Sequence, residues 1–331
     1  MKIIHALKSV LLFAMLSVMA SQFALAKTSD PLPSWNDGPT KTAILQFMDK
    51  VTDEHSDQYV PLDERVATFD NDGTLWSEKP MYFQILFAFD RVKALAPSHP
   101  EWKTTKPFSL VLNNELDKLT GEDALKIVAA THTGMTSDEF DKQVKEWIAT
   151  AKHPLTGKPY TDMVFQPMLE LLNYFRSNGF KTYIVSGGGN AFMRAWVTPV
   201  YNIPPEQVIG TRLSAEMREV DGKMQMWRLP EVSVNNDKEV KPVEIYQAIG
   251  RRPVAAFGNS DGDLAMLQWT MSGDGARLAM YVHHTDDKRE WKYDRFSSVG
   301  KLDKGLDEAQ SKGWLIADMK NDWKQIYPSD K

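Results

Sequence analysis

Three short segments of this 331-residue chain concentrate side chains that can do chemistry. They are Asp70-Asn71-Asp72-Gly73-Thr74-Leu75-Trp76, Ser186-Gly187-Gly188-Gly189-Asn190 and Gly258-Asn259-Ser260-Asp261-Gly262-Asp263. Carboxylates of this kind act as nucleophiles, proton carriers or ligands of hard cations, and an amide oxygen such as that of Asn259 can share the last task. Each segment alone is weak. An Asp-x-Asp pair is expected about once by chance in a chain this long, and it recurs at Asp261 and Asp263. The plain alternative is a capped turn at Asp70 and Asp72, with Ser186 and Ser260 capping helices. Position separates the two readings, because each segment directly follows a strand-like run, and an open parallel sheet binds ligands beyond the carboxyl ends of its strands.

The elements that would hold these segments follow from apolar periodicity. Arg65–Phe69, Lys181–Val185 and Val254–Phe257 are short apolar runs ending in polar residues and glycine, as buried parallel strands do. Between them, Met168, Leu171, Leu172 and Phe175 form one face of a helix that Pro167 can open and Gly179 can close, and a second helix starts near Pro242 and stops at Gly250. This alternation predicts an α/β fold, a parallel sheet with helices on both faces. Residues 81–152 differ, with candidate helices near 82–96, 109–119, 122–131 and 137–151 and no strand-like run. They predict a smaller all-helical domain inserted into a core made of residues 27–80 and 153–331. Asp221-Gly222 marks a tight hairpin between Met217–Val220 and Lys223–Trp227.

Composition narrows the function classes. The chain is 42% hydrophobic, 11% aromatic and 25% charged, with no cysteine, so it is neither a disulfide scaffold nor a disordered tail. At the start, Lys2 and Lys8 flank an apolar run, Val10 to Ala20, followed by Ala24 and Ala26. That pattern predicts a secretory signal, residues 1–26, cleaved before Lys27. The run is shorter than the roughly 20 residues a spanning helix needs, so no stable membrane anchor is expected after cleavage. Removing two lysines changes 39 basic against 44 acidic residues to 37 against 44, a net charge of −7 in place of −5. With no basic stretch, the expected partner is a small molecule and not a nucleic acid.

With these motifs in place, the sequence resembles the haloacid dehalogenase superfamily of aspartate-nucleophile phosphohydrolases over roughly Arg65 to Leu267. Its D-x-D-x-T motif is matched by Asp70, Asp72 and Thr74, its Ser or Thr at a strand end by Ser186, its lysine by Lys241, and its acidic motif by Gly258–Asp263. Lys238 is a second candidate for the lysine; Lys241 is preferred for its place at a helix start. The helical insertion resembles the superfamily's cap, and the glycines after Ser186 are most similar to the phosphoserine and phosphorylcholine phosphatase branch. The resemblance implies a Mg²⁺-dependent hydrolase of a small-molecule phosphomonoester, and the signal pattern adds the expectation that it is exported. In it Asp70 is the nucleophile, Asp72 the acid and base, and Ser186 and Lys241 hold the phosphate. The implied metal ligands are Asp70, the main-chain carbonyl of Asp72, Asn259 and Asp263, and the implied substrate contacts are Thr74, Trp76, Glu78 and Gly187. One departure stands out: Asn259 occupies a place where the family usually has Asp, so Asp261 or Asp263 is an alternative ligand. Glu78 resembles the acid by which the phosphoserine branch recognises an amine. A phosphotransferase or mutase using the same aspartate, or a non-catalytic exported binding protein, is the competing expectation.

Overall fold

The computed structural model describes residues 30–330, so the expected secretory signal lies outside the described residues. The predicted strand runs become β1 (Val66–Phe69), β2 (Lys181–Gly189) and β5 (Ala255–Gly258). They join β3 (Val208–Val220), β4 (Lys223–Val234), β6 (Leu278–His283) and β7 (Leu315–Asp318) in one sheet of order β4-β3-β2-β1-β5-β6-β7. All neighbours run parallel except the β3–β4 hairpin. Register is what matters for function. Phe69 lies opposite Ile184 on one side and Phe257 on the other, so the loops after β1, β2 and β5 open on one rim.

The helices are α1 (Pro39–Thr52), α2 (Phe83–Leu95), α3 (Phe108–Leu112), α4 (Gly121–His132), α5 (Ser137–Thr150) and α6 (Gln166–Ser177). They continue with α7 (Asn190–Arg194), α8 (Val197–Tyr201), α9 (Val240–Ile249), α10 (Leu264–Met271), α11 (Lys304–Lys312) and α12 (Met319–Asp322). Side chains alternate across the sheet and build a core on each face. Phe69, Ala255 and Phe257 pack with Phe47, Met168 and Phe175 from α1 and α6. Val185, Ile209 and Ala256 pack with Ile245, Met266, Leu267 and Leu306 from α9, α10 and α11. At the centre of the first core, Phe69 stacks on Phe257 at 4.3 Å, and Phe175 meets both rings edge-on.

The helical segment after β1 has a small core of Phe89, Val92, Trp102, Val111 and Ile127. Capping boxes start α4 (Thr120 with Asp123) and α5 (Thr136 with Glu139). The long helix expected over 109–119 is instead the short α3 and a single 3-10 turn at Leu116–Lys118. Asn114 adopts φ 58° between them, a conformation that ends a helix and that asparagine tolerates. The hairpin is longer than predicted. Val208–Thr211 of β3 pair with β2, and the same strand continues as Arg212–Val220 against β4. Asp221 (φ 51°) and Gly222 (φ 74°) supply the left-handed pair of a type I′ turn. This ribbon reaches the insertion, where Arg228 exchanges main-chain hydrogen bonds with Gly134 and Met135 at 3.0 and 2.9 Å. Among the described residues, no helix is long and apolar enough to cross a membrane.

Candidate active site

The loop after β1 is fixed before it carries any function. The Asp70 N–H donates to Phe257 O at 2.9 Å, tying the loop to β5, and the Asn71 carbonyl accepts from Thr74 and Leu75. Gly73 takes φ +76°, and a Cβ there would collide with Asn259 and Glu78, so only glycine fits. His284 Nε2 donates to Gly73 O at 2.8 Å. Its neighbour His283 points away toward Asp294, as alternation along β6 requires.

Lys241, in the first turn of α9, is 2% exposed, and all three of its donors are used. Nζ donates to Asp70 Oδ1 at 2.7 Å, Asp263 Oδ1 at 2.5 Å and Val185 O at 3.0 Å. Lys238, at φ 53° before α9, does not share this position. Burial alone would lower the Lys241 pKa, but Asp263 and Asp70 outweigh it and raise it, so the ammonium stays charged. Asp263 Oδ2 accepts from the Asn259 and Ser260 main-chain N–H groups, both at 3.0 Å. Both Asp263 oxygens are therefore committed to holding Lys241 and the loop. Asp261 turns outward, its Oδ1 accepting from the Asp303 and Gly305 N–H groups, which removes it as an alternative ligand.

A cavity of about 320 Å³ opens above this floor, lined there by Asp70, Asp72, Ser186, Gly187 and Lys241. Ser186 Oγ accepts from Gly188 N–H at 3.0 Å. A Cβ added to Gly188 would lie 3.2 Å from Ser186 Oγ and 3.5 Å from both Asp72 Oδ2 and Gln84 Oε1, so these side chains converge on one bare stretch of backbone. Burial pushes Asp72 up to about 6, with the Trp76 hydrogen bond opposing the rise. Burial, then repulsion from Asp263, raises Asp70 well above the usual carboxylate range despite Lys241.

Two expected substrate contacts are corrected. Trp76 is fully buried, stacks on Trp196 at 4.2 Å and donates from Nε1 to Asp72 Oδ1 at 2.7 Å, so it aims Asp72 and does not line the cavity. Thr74 is also fully buried and donates to Asn259 Oδ1 at 3.2 Å. Glu78 does line the cavity, but its Oε1 accepts from Asn259 Nδ2 at 2.7 Å and Tyr293 OH at 2.8 Å. Because a carboxylate oxygen accepts, it turns the Asn259 amide nitrogen toward itself and the amide oxygen away. Sequence reasoning missed Gln84, which accepts from Gly189 N–H at 2.7 Å, and His132, Arg228 and Asp237 on the cavity wall. No spacing rule connects these residues to the motifs; they arrive through the insertion, the hairpin and the loop after it.

Lys241 contacts Asp70 and Asp263 and acts on Asp72, while the cation acting on Glu78 is Lys79. Buried carboxylates beside carbonyl and amide oxygens are the donor types that suit a hard divalent cation. Among the described residues, no cluster of three His, Cys, Asp or Glu side chains is arranged as a metal site. Asp70, the Asp72 carbonyl and the Asn259 amide oxygen, which also accepts from Thr74, would be the donors.

The fold agrees with the comparisons. Residues 67–268 match the model of the haloacid dehalogenase-like hydrolase family, and the chain belongs to that family. Among solved structures, a protein of unknown function from Bordetella pertussis Tohama I superposes with a TM-score of 0.51 at 15% identity, covering 77% of this chain and 99% of that one. A functionally unknown protein from Anaerococcus prevotii DSM 20548 gives 0.49 at 17% identity, covering 84% and 90%. A phosphoserine phosphohydrolase-like protein from Francisella tularensis subsp. tularensis SCHU S4 gives 0.38 at 14%, covering 75% and 99%. No curated protein matches the sequence.

Proposed function

We propose that the protein hydrolyses small-molecule phosphomonoesters through an aspartyl-phosphate on Asp70, with the α2–α5 insertion acting as the cap. The observation that carries this reading is the meeting of Asp70, Asp72, Ser186 and Lys241 on the floor of one cavity. Phosphoryl transfer asks for positioning and charge neutralisation more than for covalent help, and these residues supply both. Lys241 orients Asp70 for attack on phosphorus, and Ser186 and the Gly187–Gly189 backbone face the phosphoryl oxygens. As the Asp70 oxygen–phosphorus bond forms and the ester P–O bond breaks, Asp72 gives its proton to the leaving oxygen. Water then attacks the same phosphorus, Asp72 takes the proton back, and the Asp70 oxygen–phosphorus bond breaks to release phosphate.

Mg²⁺, held by Asp70, the Asp72 carbonyl and Asn259, would screen the negative charge of the reacting groups. An acid at Asp72 favours a substrate that leaves through oxygen. Together with the leader-like residues 1–26, this supports an exported phosphatase. The test is phosphate release from 4-nitrophenyl phosphate by purified protein, with and without Mg²⁺ after chelation. Asp70→Asn should reduce turnover by more than about 10³-fold; parental turnover in that variant overturns the assignment.

A further inference from the structure

The cavity lining also carries an arginine that does not belong to the loops after β1, β2 and β5. Arg228, near the middle of β4, is 9% exposed and lines the cavity. Its Nε donates to His132 O at 2.6 Å, and its guanidinium lies over the Phe140 ring at 4.1 Å. Those contacts tie the hairpin to the insertion, yet they use one of five N–H donors. Neither Nη donates to an acceptor among the described residues, and burial is the only influence on its pKa, which falls to about 10. Among the described residues it forms no ion pair with a carboxylate. Arg91 of α2 is in the same condition, with an orphaned buried Nε and burial again the sole cause of a lowered pKa. Both arginines bear on His132, which burial and their charge hold neutral. The acids of the cavity, Asp70, Asp72, Glu78 and Asp237, belong to the loops at the sheet rim. Gln84 spans from Gly189 N–H to His132, and Ile85, Val128, Phe192, Leu213 and Val232 add apolar lining to the same cavity.

Neither Nη of Arg228 is a buried orphan, so the fork is open on the cavity that Arg228 lines, and a planar guanidinium fork suits carboxylate or phosphate. We propose that Arg228 is a specificity residue that receives a second anionic group, on the leaving-group side of the substrate. The substrate class is then a phosphomonoester whose alcohol has an apolar body and an anionic end. This rests on the phosphatase reading and opposes a cationic alcohol such as an amino or quaternary ammonium alcohol.

The test compares kcat/KM for 4-carboxyphenyl, 4-carbamoylphenyl and 4-trimethylammoniophenyl phosphates in the full chain and in Arg228→Gln and Arg228→Lys. The carboxylate ester should exceed the neutral one by about 10- to 100-fold in the parent, the range of a charge-assisted hydrogen-bonded pair, and the cationic ester should be poorest. Arg228→Gln should collapse that ratio toward one, and Arg228→Lys should keep part of it. Because the readout is a ratio, a general loss of activity cancels. If Arg228→Gln does not fold, the parent's ratios among the three esters decide by themselves. Equal turnover of the carboxylate and neutral esters by the parent, or an unchanged ratio in Arg228→Gln, overturns the subsite and leaves the phosphatase reading standing. Failure to turn over any ester removes both.

Discussion

Asp72 shows at the level of one residue how a site can work against the stability of its own protein. Its carboxyl has a pKa of about 6 in the fold, raised from an ordinary 3.8 mainly by burial. Between these values the folded state binds more protons than the unfolded state, so stability falls as pH rises through that window and the loss is complete above it. Below about 4 both states are protonated and the contribution is neutral. Without divalent cation, Asp72→Asn should therefore stabilise the protein by about 1 kcal/mol at pH 7.5, after discounting for partial exposure on the cavity wall. The gain should shrink toward pH 4. Thermal melts of both proteins in chelator across this range measure it, and a gain independent of pH would show that ionisation is not the cause. The meeting of Asp70, Asp72 and Lys241 was legible because the aspartates follow a strand end and the lysine stands at a helix start. Thr74 and Trp76 were misassigned because a motif gives proximity along the chain and not the direction of a side chain.

Between elements, the loop after β1 and the loop after β5 are coupled by the 2.7 Å contact of Glu78 with Asn259. Asn259→Asp would set two buried carboxylates against each other and should cost about 1–3 kcal/mol, the scale of a buried polar group left unmatched. Adding Glu78→Gln restores a donor facing an acceptor and should recover most of the loss, while placing a carboxylate where the asparagine oxygen was. Urea denaturation of the parent, both single variants and the double variant forms the cycle; additive effects would refute the coupling. Of the elements themselves, β1, β2, β5 and α6 declare themselves through apolar runs with clear stops. By contrast, β7 is not legible, and of β3 only the exposed arm around Met217 is, while its buried stretch at Val208–Ile209 is not. A sequence pattern tuned to one environment does not register a strand that passes from one to the other.

At the scale of the whole molecule, the two cores bear on the site unequally. Phe175, in the core beneath α6, touches Phe69 and Phe257, the residues that immediately precede Asp70 and Gly258. Phe175→Ala should cost about 3–5 kcal/mol by opening a cavity. Since Phe175 does not line the active cavity, KM at a temperature where the variant stays folded should change little. Urea titration alongside steady-state kinetics checks both; a large change in KM at full folding would mean that the sheet rim is set by core packing. The architecture was legible because parallel strands alternating with helices leave few arrangements open. The distal cavity wall was not, because it assembles from α2, α4 and β4, which meet only after the chain has folded back on itself.

The ribbon has a mechanical consequence. Since β3 pairs with β2 beside Ser186 and runs on to meet the insertion through β4, the helices over the cavity are tethered twice, once by their own chain ends and once by this strap. Widening the mouth by tilting those helices must carry the strap with them. The backbone is freest to bend at the register shifts between Arg212 and Ala215, where the ladder is already broken. Arg228 would ride on the moving side of that joint while Asp70 and Lys241 stay with the sheet, so the two ends of a bound molecule would be released from separate bodies.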